Sequence, residues 1–136
     1  MQGFMQRAAE LAAISAAEGE VPVGAVVVKN GIIVGEGRNR RELSKNALSH
    51  AEIEAINNAC RTLGGWRLWQ CELFVTLEPC PMCAGAIINS RIKKVTFGAY
   101  DNKAGSFGSV INFNDLPYNH KREIIGGEYE NECAQL

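Results

Sequence analysis

The stretch Val75-Thr76-Leu77-Glu78-Pro79-Cys80-Pro81-Met82-Cys83 joins an apolar run to two closely spaced cysteines. Leu73 to Leu77 is typical of a buried strand. Pro79 is predicted to open the following helix, because proline lacks the N–H that a first helical turn leaves unpaired. Two residues separate the thiols, so both sulfurs can reach one metal ion from a single helical turn. The stretch therefore predicts a strand, a metal-binding turn and a helix, in that order.

A second motif, His50-Ala51-Glu52, opens another predicted helix. His50 supplies a third metal ligand beside Cys80 and Cys83. Three protein ligands leave one position of a tetrahedral zinc ion open to water, as in catalytic rather than structural zinc sites. Glu52 lies next to this position and can move protons as a general acid and base. We therefore predict one Zn²⁺ per chain, with Glu52 as the catalytic residue.

Both motifs have other interpretations. Cys80 and Cys83 could be small buried residues or a redox pair. The run from Ser49 to Glu52 also fits a capping box, in which the glutamate only reaches back to the start of the helix. The conjunction of His-x-Glu with Pro-Cys-x-x-Cys, each opening a helix, is nevertheless a known signature of zinc-dependent base deaminases.

The other elements follow from periodicity and turn residues. Asn30-Gly31 predicts a tight hairpin between two antiparallel strands, and the helix after Pro79 predicts a parallel crossover between the third and fourth strands. The predicted elements are a helix from Phe4 to Ile14 ending near Gly19, strands at Val23 to Val28, Ile32 to Gly35, Leu73 to Leu77, Val95 to Ala99 and Ile124 to Ile125, and helices from near Ser49 to Leu63, near Val110 and from Tyr129. Together they predict an α/β fold, a three-layer α/β/α sandwich around a mixed five-stranded sheet.

Length and composition predict a single domain over residues 1–136. Five cysteines, an odd number, are incompatible with a complete disulfide framework, so we expect a reducing, cytoplasmic location. We expect no signal peptide and no membrane-spanning segment. The net charge of −1 does not by itself indicate a nucleic-acid-binding protein, although basic clusters occur near Arg41, Lys93 and Lys121. Trp66 and Trp69 are predicted to be core or interface residues.

The chain resembles the bacterial tRNA adenosine deaminases over nearly its whole length. The matching stretches are Glu20-Val21-Pro22-Val23-Gly24-Ala25-Val26, Gly37-Arg38-Asn39-Arg40, His50-Ala51-Glu52-Ile53, the stretch from Val75 to Ala86, Ser90-Arg91-Ile92, the stretch from Phe97 to Gly105, and Asn119-His120. The resemblance implies a cytidine deaminase-like fold, a homodimer, and conversion of the wobble adenosine of a tRNA anticodon stem-loop to inosine.

The resemblance also implies which residues contact the substrate. Asn39 would hydrogen-bond the flipped base, Val23 and Ala51 would wall its pocket, and Asp101 and Lys103 would lie along the RNA path. Asp101 follows the fourth strand, at the edge where parallel strands usually carry a site, and could accept a hydrogen bond from a ribose 2′-hydroxyl. As alternatives, Asn39 and Asp101 could be turn residues only.

Two other functions compete with this one. One is a free-base or nucleoside deaminase acting on guanine or cytosine, because such enzymes share the zinc motif. The other is a catalytically silent zinc module used for binding. Glu52 argues against the silent module, since a structural zinc site needs no carboxylate there and normally closes its fourth position.

Overall fold

The computed structural model describes all 136 residues and shows a three-layer α/β/α arrangement around one five-stranded sheet. The elements are α1 (Gly3–Ala17), β1 (Gly24–Lys29), β2 (Ile32–Arg38), α2 (Ala51–Leu63), β3 (Cys71–Leu77), α3 (Pro81–Ser90), β4 (Lys94–Ala99), β5 (Glu123–Ile125) and α4 (Glu130–Ala134). This confirms the predicted fold class. None of the helices combines the length and the apolar character needed to cross a membrane.

The sheet is mixed, with the strand order β2-β1-β3-β4-β5. β1 pairs antiparallel with both β2 and β3, whereas β3, β4 and β5 are parallel. The β1–β2 hairpin turns through Asn30 and Gly31, whose φ angles of 52° and 76° are the positive values that such a turn requires. The predicted hairpin and the predicted parallel crossover through α3 are both confirmed.

The helices cover both faces of the sheet. Alternate residues of β1 face opposite layers: Val26 and Val28 pack with Leu11 of α1, while Ala25 and Val27 belong to the main core under α2 and α3. The short helix α4 lies on the same face as α1, where Cys133 contacts a small cluster around Met5, Ala8 and Ala99. Close helix–sheet packing on the other face requires Gly37, because a Cβ atom there would lie 2.1 Å from the carbonyl oxygen of Ala51.

Two helix starts differ from the sequence prediction. α3 begins at Pro81 rather than at Pro79, with Cys80 in an extended conformation as its N-cap. The reason is that Pro81 disfavours helical geometry for the residue before it, so the helix cannot include Cys80. α2 begins at Ala51 with His50 as its N-cap, one position later than a capping box on Ser49 requires.

One further prediction is corrected, and another loses one of its two alternatives. The short helix expected near Val110 is a single 3₁₀ turn at Phe113–Asp115, since the side chain of Asn112 accepts a hydrogen bond from the backbone N–H of Asn114 and caps that turn. Trp66 and Trp69 were predicted to lie in the core or at an interface; they are 50% and 64% exposed, so they are not in the core, and the interface stays a prediction.

Candidate active site

The predicted site residues converge because of strand direction. β2, β3 and β4 run the same way, so Asn39, Cys80 and Asp101, which follow their carboxyl ends, meet at one edge of the sheet. β1 runs in the opposite direction, so Val23, which precedes it, lies at the same edge. This edge is where open α/β sheets usually bind their ligands.

Three side chains at this edge form a group that could hold a metal ion: His50, Cys80 and Cys83. The Nδ1 atom of His50 lies 3.7 Å from the Sγ atom of Cys80 and 3.6 Å from that of Cys83. One nitrogen and one sulfur ligand of a tetrahedral zinc ion stand about 3.6 Å apart. The donor set and its spacing therefore fit zinc, and the helix N-termini of α2 and α3 favour thiolate ligands electrostatically.

The two thiols differ in how readily they ionise. The pKa of Cys80 is lowered to about 5, mainly because the Cys83 side chain hydrogen-bonds to its sulfur. The pKa of Cys83 is raised, first by its hydrogen bond to Cys80 and then by burial. The pair therefore releases one proton readily, which provides a thiolate for a cation at neutral pH.

Glu52 lies in the first turn of α2 and is only 5% exposed. Burial raises the pKa of its carboxyl group to about 7. The capping-box interpretation is wrong: the backbone N–H groups of Ser49 and His50 donate to the carbonyl oxygens of Asn46 and Leu48, not to Glu52. The structure thus leaves the Glu52 side chain beside the cysteines, and it does not form a capping box.

These residues line a cavity of about 170 Å³. Its walls include four of the predicted substrate-binding residues and three of the predicted catalytic and metal-binding residues. The lining residues are Val21, Val23, Asn39, Arg41, His50, Ala51, Glu52, Leu77, Glu78, Cys80, Asp101 and Ala104. Cys83 is buried behind this surface, and Lys103 is exposed and does not line the cavity.

Asn39 has both a turn role and a place in the cavity wall. Its side-chain N–H donates to the carbonyl oxygen of Val21 at 3.2 Å, and its side-chain oxygen accepts from the backbone N–H of Arg41 at 3.2 Å. An asparagine amide has two donor hydrogens and two acceptor lone pairs, so one of each remains for a ligand. The two bonds hold the amide in a defined orientation towards the cavity.

Asp101 caps the turn that follows β4. Its Oδ1 atom accepts hydrogen bonds from the backbone N–H groups of Lys103 at 3.0 Å and Ala104 at 3.2 Å. The alternative that Asp101 is a turn residue is therefore correct for its Oδ1 atom. The Oδ2 atom takes part in neither bond and belongs to a side chain that lines the cavity.

Three charged residues that line or support the cavity were not predicted from the sequence. Arg41 was noted only as part of a basic cluster, but it lines the cavity, whereas its neighbour Arg38 is paired with Glu18 at 2.8 Å. Glu20 and Glu78 are buried carboxylates that accept hydrogen bonds from backbone N–H groups. The signal in the sequence was that Glu20 and Glu78 each stand directly beside an apolar run. An acidic residue that is buried in such a position needs hydrogen-bond partners for its oxygens.

A second and larger hollow lies elsewhere. It is an open groove of about 610 Å³ lined by α1, β2 and α2, and it includes none of His50, Glu52, Cys80 and Cys83. Its charged residues include Arg7 and Glu36, which pair with each other at 2.6 Å. The smaller cavity is therefore the candidate active site.

Solved structures place this fold among the deaminases. One, from a study of A-to-I editing by deaminases that act at the wobble position of transfer RNA, matches with a TM-score of 0.94 and 39% identity, over 97% of this chain and 96% of that chain. Guanine deaminase from Bacillus subtilis matches with a TM-score of 0.69 and 34% identity, over 85% of each chain. The fold is thus the cytidine deaminase-like fold of hydrolytic deaminases.

Family and sequence comparisons agree with this class. The chain belongs to the MafB19-like deaminase family, whose model matches residues 1–131. It is 46% identical over 134 residues to the tRNA-specific adenosine deaminase of Bacillus subtilis, covering 98% of this chain and 83% of that protein. It is also 46% identical to the tRNA-specific adenosine deaminase of Haemophilus influenzae, covering 97% of this chain and 78% of that protein.

Proposed function

We propose that this chain converts adenosine to inosine at the wobble position of a tRNA anticodon, using one zinc ion per chain. The observation that carries the proposal is the cavity in which Glu52 lies beside a His-Cys-Cys group and faces a wall that contains Asn39. The curated relatives, which are named tRNA-specific adenosine deaminases and align with nearly the whole chain, support the choice of substrate.

His50, Cys80 and Cys83 are the residues that would hold the metal. A zinc ion bound there supplies a Lewis acid that makes water a nucleophile at neutral pH. Glu52 takes a proton from the attacking water and gives it to N1 of the adenine ring, then delivers the second water proton to the departing amino group. A C6–O bond forms and the C6–N bond breaks, so one water is consumed and one ammonia is released.

The cavity walls would hold the base and exclude water. The free donor and acceptor of Asn39 suit the ring and exocyclic groups of a purine. Val23 and Ala51 supply apolar surface, and Asp101 would reach the ribose with its Oδ2 atom. Lys103, exposed just beyond the cavity, would meet the RNA backbone. Anticodon bases are already unpaired, so extracting one costs only about a few kcal/mol.

We also propose a cytoplasmic homodimer. Trp66 and Trp69, which are 50% and 64% exposed and line one shallow pocket, are available for a protein interface. All five cysteines are free thiols, as expected in a reducing compartment where tRNA is processed. Analytical ultracentrifugation gives the oligomeric state, which we expect to be a dimer.

Inosine formation on a short RNA hairpin with the anticodon A-C-G tests the main proposal. Free adenine, guanine and cytosine are incubated in parallel, since a free-base deaminase of the same fold would release ammonia from one of them. We expect inosine in the hairpin and no turnover of the bases. Turnover of guanine with an unchanged hairpin would instead assign a guanine deaminase activity.

A further inference from the structure

The loop from Asp101 to Ser109, here called the 101–109 loop, forms one wall of the cavity, and one buried side chain bonds to both of its ends. Glu78 follows β3 and is only 2% exposed. Its Oε1 atom accepts a hydrogen bond from the backbone N–H of Asp101 at 3.1 Å. Its Oε2 atom accepts from the backbone N–H groups of Phe107 and Ser109, each at 3.1 Å. One carboxylate thus ties the beginning of the loop to its end.

A fourth donor completes this arrangement. The hydroxyl of Ser109 also donates to Oε1 of Glu78. Every group that faces the carboxylate in these bonds is a donor, so an ionised carboxylate, which only accepts, is the side chain that satisfies all of them. Hydrogen bonds to a charged group are the stronger kind, and an orphaned buried N–H is costly.

The loop packs closely against Glu78 and the core. A Cβ atom on Gly105 would lie 2.3 Å from Cδ of Glu78 and 2.4 Å from the carbonyl oxygen of Asp101. Phe107 is inserted into the main core, and the backbone N–H of Ser106 donates to the carbonyl oxygen of Pro79 at 2.9 Å. Between these anchors, Asp101 and Ala104 are the loop residues that line the cavity.

We propose that Glu78 is a positioning residue for substrate binding: it holds the 101–109 loop in the conformation that places Asp101 against the target nucleotide. The kinetic part of this inference rests on the proposed function. Glu78 itself touches no reacting atom. If the loop is ordered only part of the time, the apparent affinity for substrate equals the affinity of the ordered state multiplied by the ordered fraction. Chemistry in the bound complex is largely unchanged.

Glu78→Gln tests the donor arrangement atom by atom. If the new NH₂ group took the place of Oε2, it would face the backbone N–H groups of Phe107 and Ser109. Neither N–H can accept a hydrogen bond, so this orientation is unfavourable. In the place of Oε1 it faces the Ser109 hydroxyl, which can rotate to accept, and the Asp101 N–H, which cannot. We therefore expect the variant to lose the bond to Asp101 and to keep those to Phe107 and Ser109.

Residue-resolved amide hydrogen exchange by NMR measures this directly on the full chain. In Glu78→Gln we expect the Asp101 amide to exchange faster by about tenfold or more, the change expected for one lost charged hydrogen bond, with smaller changes at Phe107 and Ser109. Glu72→Gln is the matched control, because Glu72 lies in β3, the strand that Glu78 follows, at the end away from the cavity, where its carboxylate is 3.9 Å from Nζ of Lys94. The control should leave all three amides unchanged.

Kinetics on the A-C-G hairpin distinguish a positioning role from a purely structural one, because only a positioning role predicts a change in KM without a change in kcat. We expect KM to rise about tenfold in Glu78→Gln, in line with the loss of the ordered loop, with kcat little changed and zinc content kept. Gly105→Ala disturbs the same contact from the loop side, far along the chain from Cys80, and should also raise KM. It therefore separates loop placement from damage to the metal ligands.

Unchanged exchange at Asp101 in Glu78→Gln would overturn the proposal, as would a loss of zinc that accounts for the whole loss of activity. An equal response in Glu72→Gln would also overturn it. If the wild-type protein forms no inosine, both the proposed function and the expected change in KM are wrong. Exchange at Asp101 needs no substrate and still decides whether Glu78 holds the loop.

Discussion

The Sγ atom of Cys83, in the first turn of α3, lies 3.6 Å from the Nδ1 atom of His50, the N-cap of α2. Two residues that are 33 positions apart in the chain are therefore close enough to bind the same ion.

Because Cys80 completes a set of catalytic type, we expect about one zinc per chain in protein purified without added metal. Elemental analysis measures this. His50→Ala should lose the metal, whereas Cys60→Ser, which changes a thiol outside the group, should keep it. Iron in place of zinc, or full activity without metal, would contradict the assignment.

Glu52→Gln should keep the zinc and the fold but lose at least about a hundredfold in turnover, the typical effect of removing a general acid and base. The control is Glu54→Gln, two residues further along the same helical turn and outside the cavity lining. Turnover on the RNA hairpin and thermal melting are compared for both variants. Preserved turnover in Glu52→Gln, with only a lower melting temperature, would show that Glu52 is structural.

The buried carboxyl of Glu52 should also make stability depend on pH. Its pKa is raised from 4.5 to about 7 by burial, so the folded protein favours the protonated form. Stability from this group is complete below its unfolded pKa and is lost as the pH rises through its folded pKa. In chelator-treated protein, Glu52→Gln should therefore be more stable than wild type at pH 8, on the order of 1–3 kcal/mol, and equal at pH 4. Urea unfolding at both pH values tests this, and a pH-independent difference would rule it out.

Asp101→Ala should narrow the preference for RNA over DNA. The free Oδ2 atom can accept from a 2′-hydroxyl, and a deoxyribose leaves it unpaired beside an anionic backbone. We expect a larger loss of activity on an RNA hairpin than on the same hairpin with a 2′-deoxy target nucleotide. Asp101→Asn is the matched variant, because its side-chain oxygen can still accept from Lys103 and Ala104 in the turn. Equal proportional losses on both substrates would mean that Asp101 does not read the sugar.

Gly37→Ala should destabilise the fold by about 2 kcal/mol or more, as overpacking against backbone does. The added Cβ atom would lie 2.1 Å from the carbonyl oxygen of Ala51 and 2.5 Å from the backbone nitrogen of Ala55, in the helix that carries Glu52. Gly65→Ala is the control, since nothing lies within 4 Å of a Cβ atom there. Melting temperatures of both variants decide the matter, and equal values would show that α2 can move away from β2.

Local signals predicted most of the elements correctly. Asn30-Gly31 tolerates positive φ and so marked the hairpin, and the alternation of strand and helix around α3 implied a parallel crossover. Two helix starts that depend on a single residue were predicted at the wrong position. The extended conformation of Cys80 follows from the proline after it, and the start of α2 follows from backbone bonds made by the preceding turn. Which of two adjacent residues becomes the N-cap of a helix does not alter the hydrophobic periodicity, so the pattern does not predict it.

The residue types and their spacing by themselves predicted the candidate metal-binding residues, the proposed general acid and base, and the class of fold. Spacing within a motif dictates which side chains can share one turn of a helix, but only the folded chain brings His50 to Cys80 and Cys83. Only the tertiary structure decided what surrounds them. Strand direction brings Asn39, Cys80 and Asp101 to one edge, and it places Arg41 in the same cavity. The burial of Glu78 and its bonds to a loop more than twenty residues away depend on contacts between distant segments, which no local pattern in the sequence encodes.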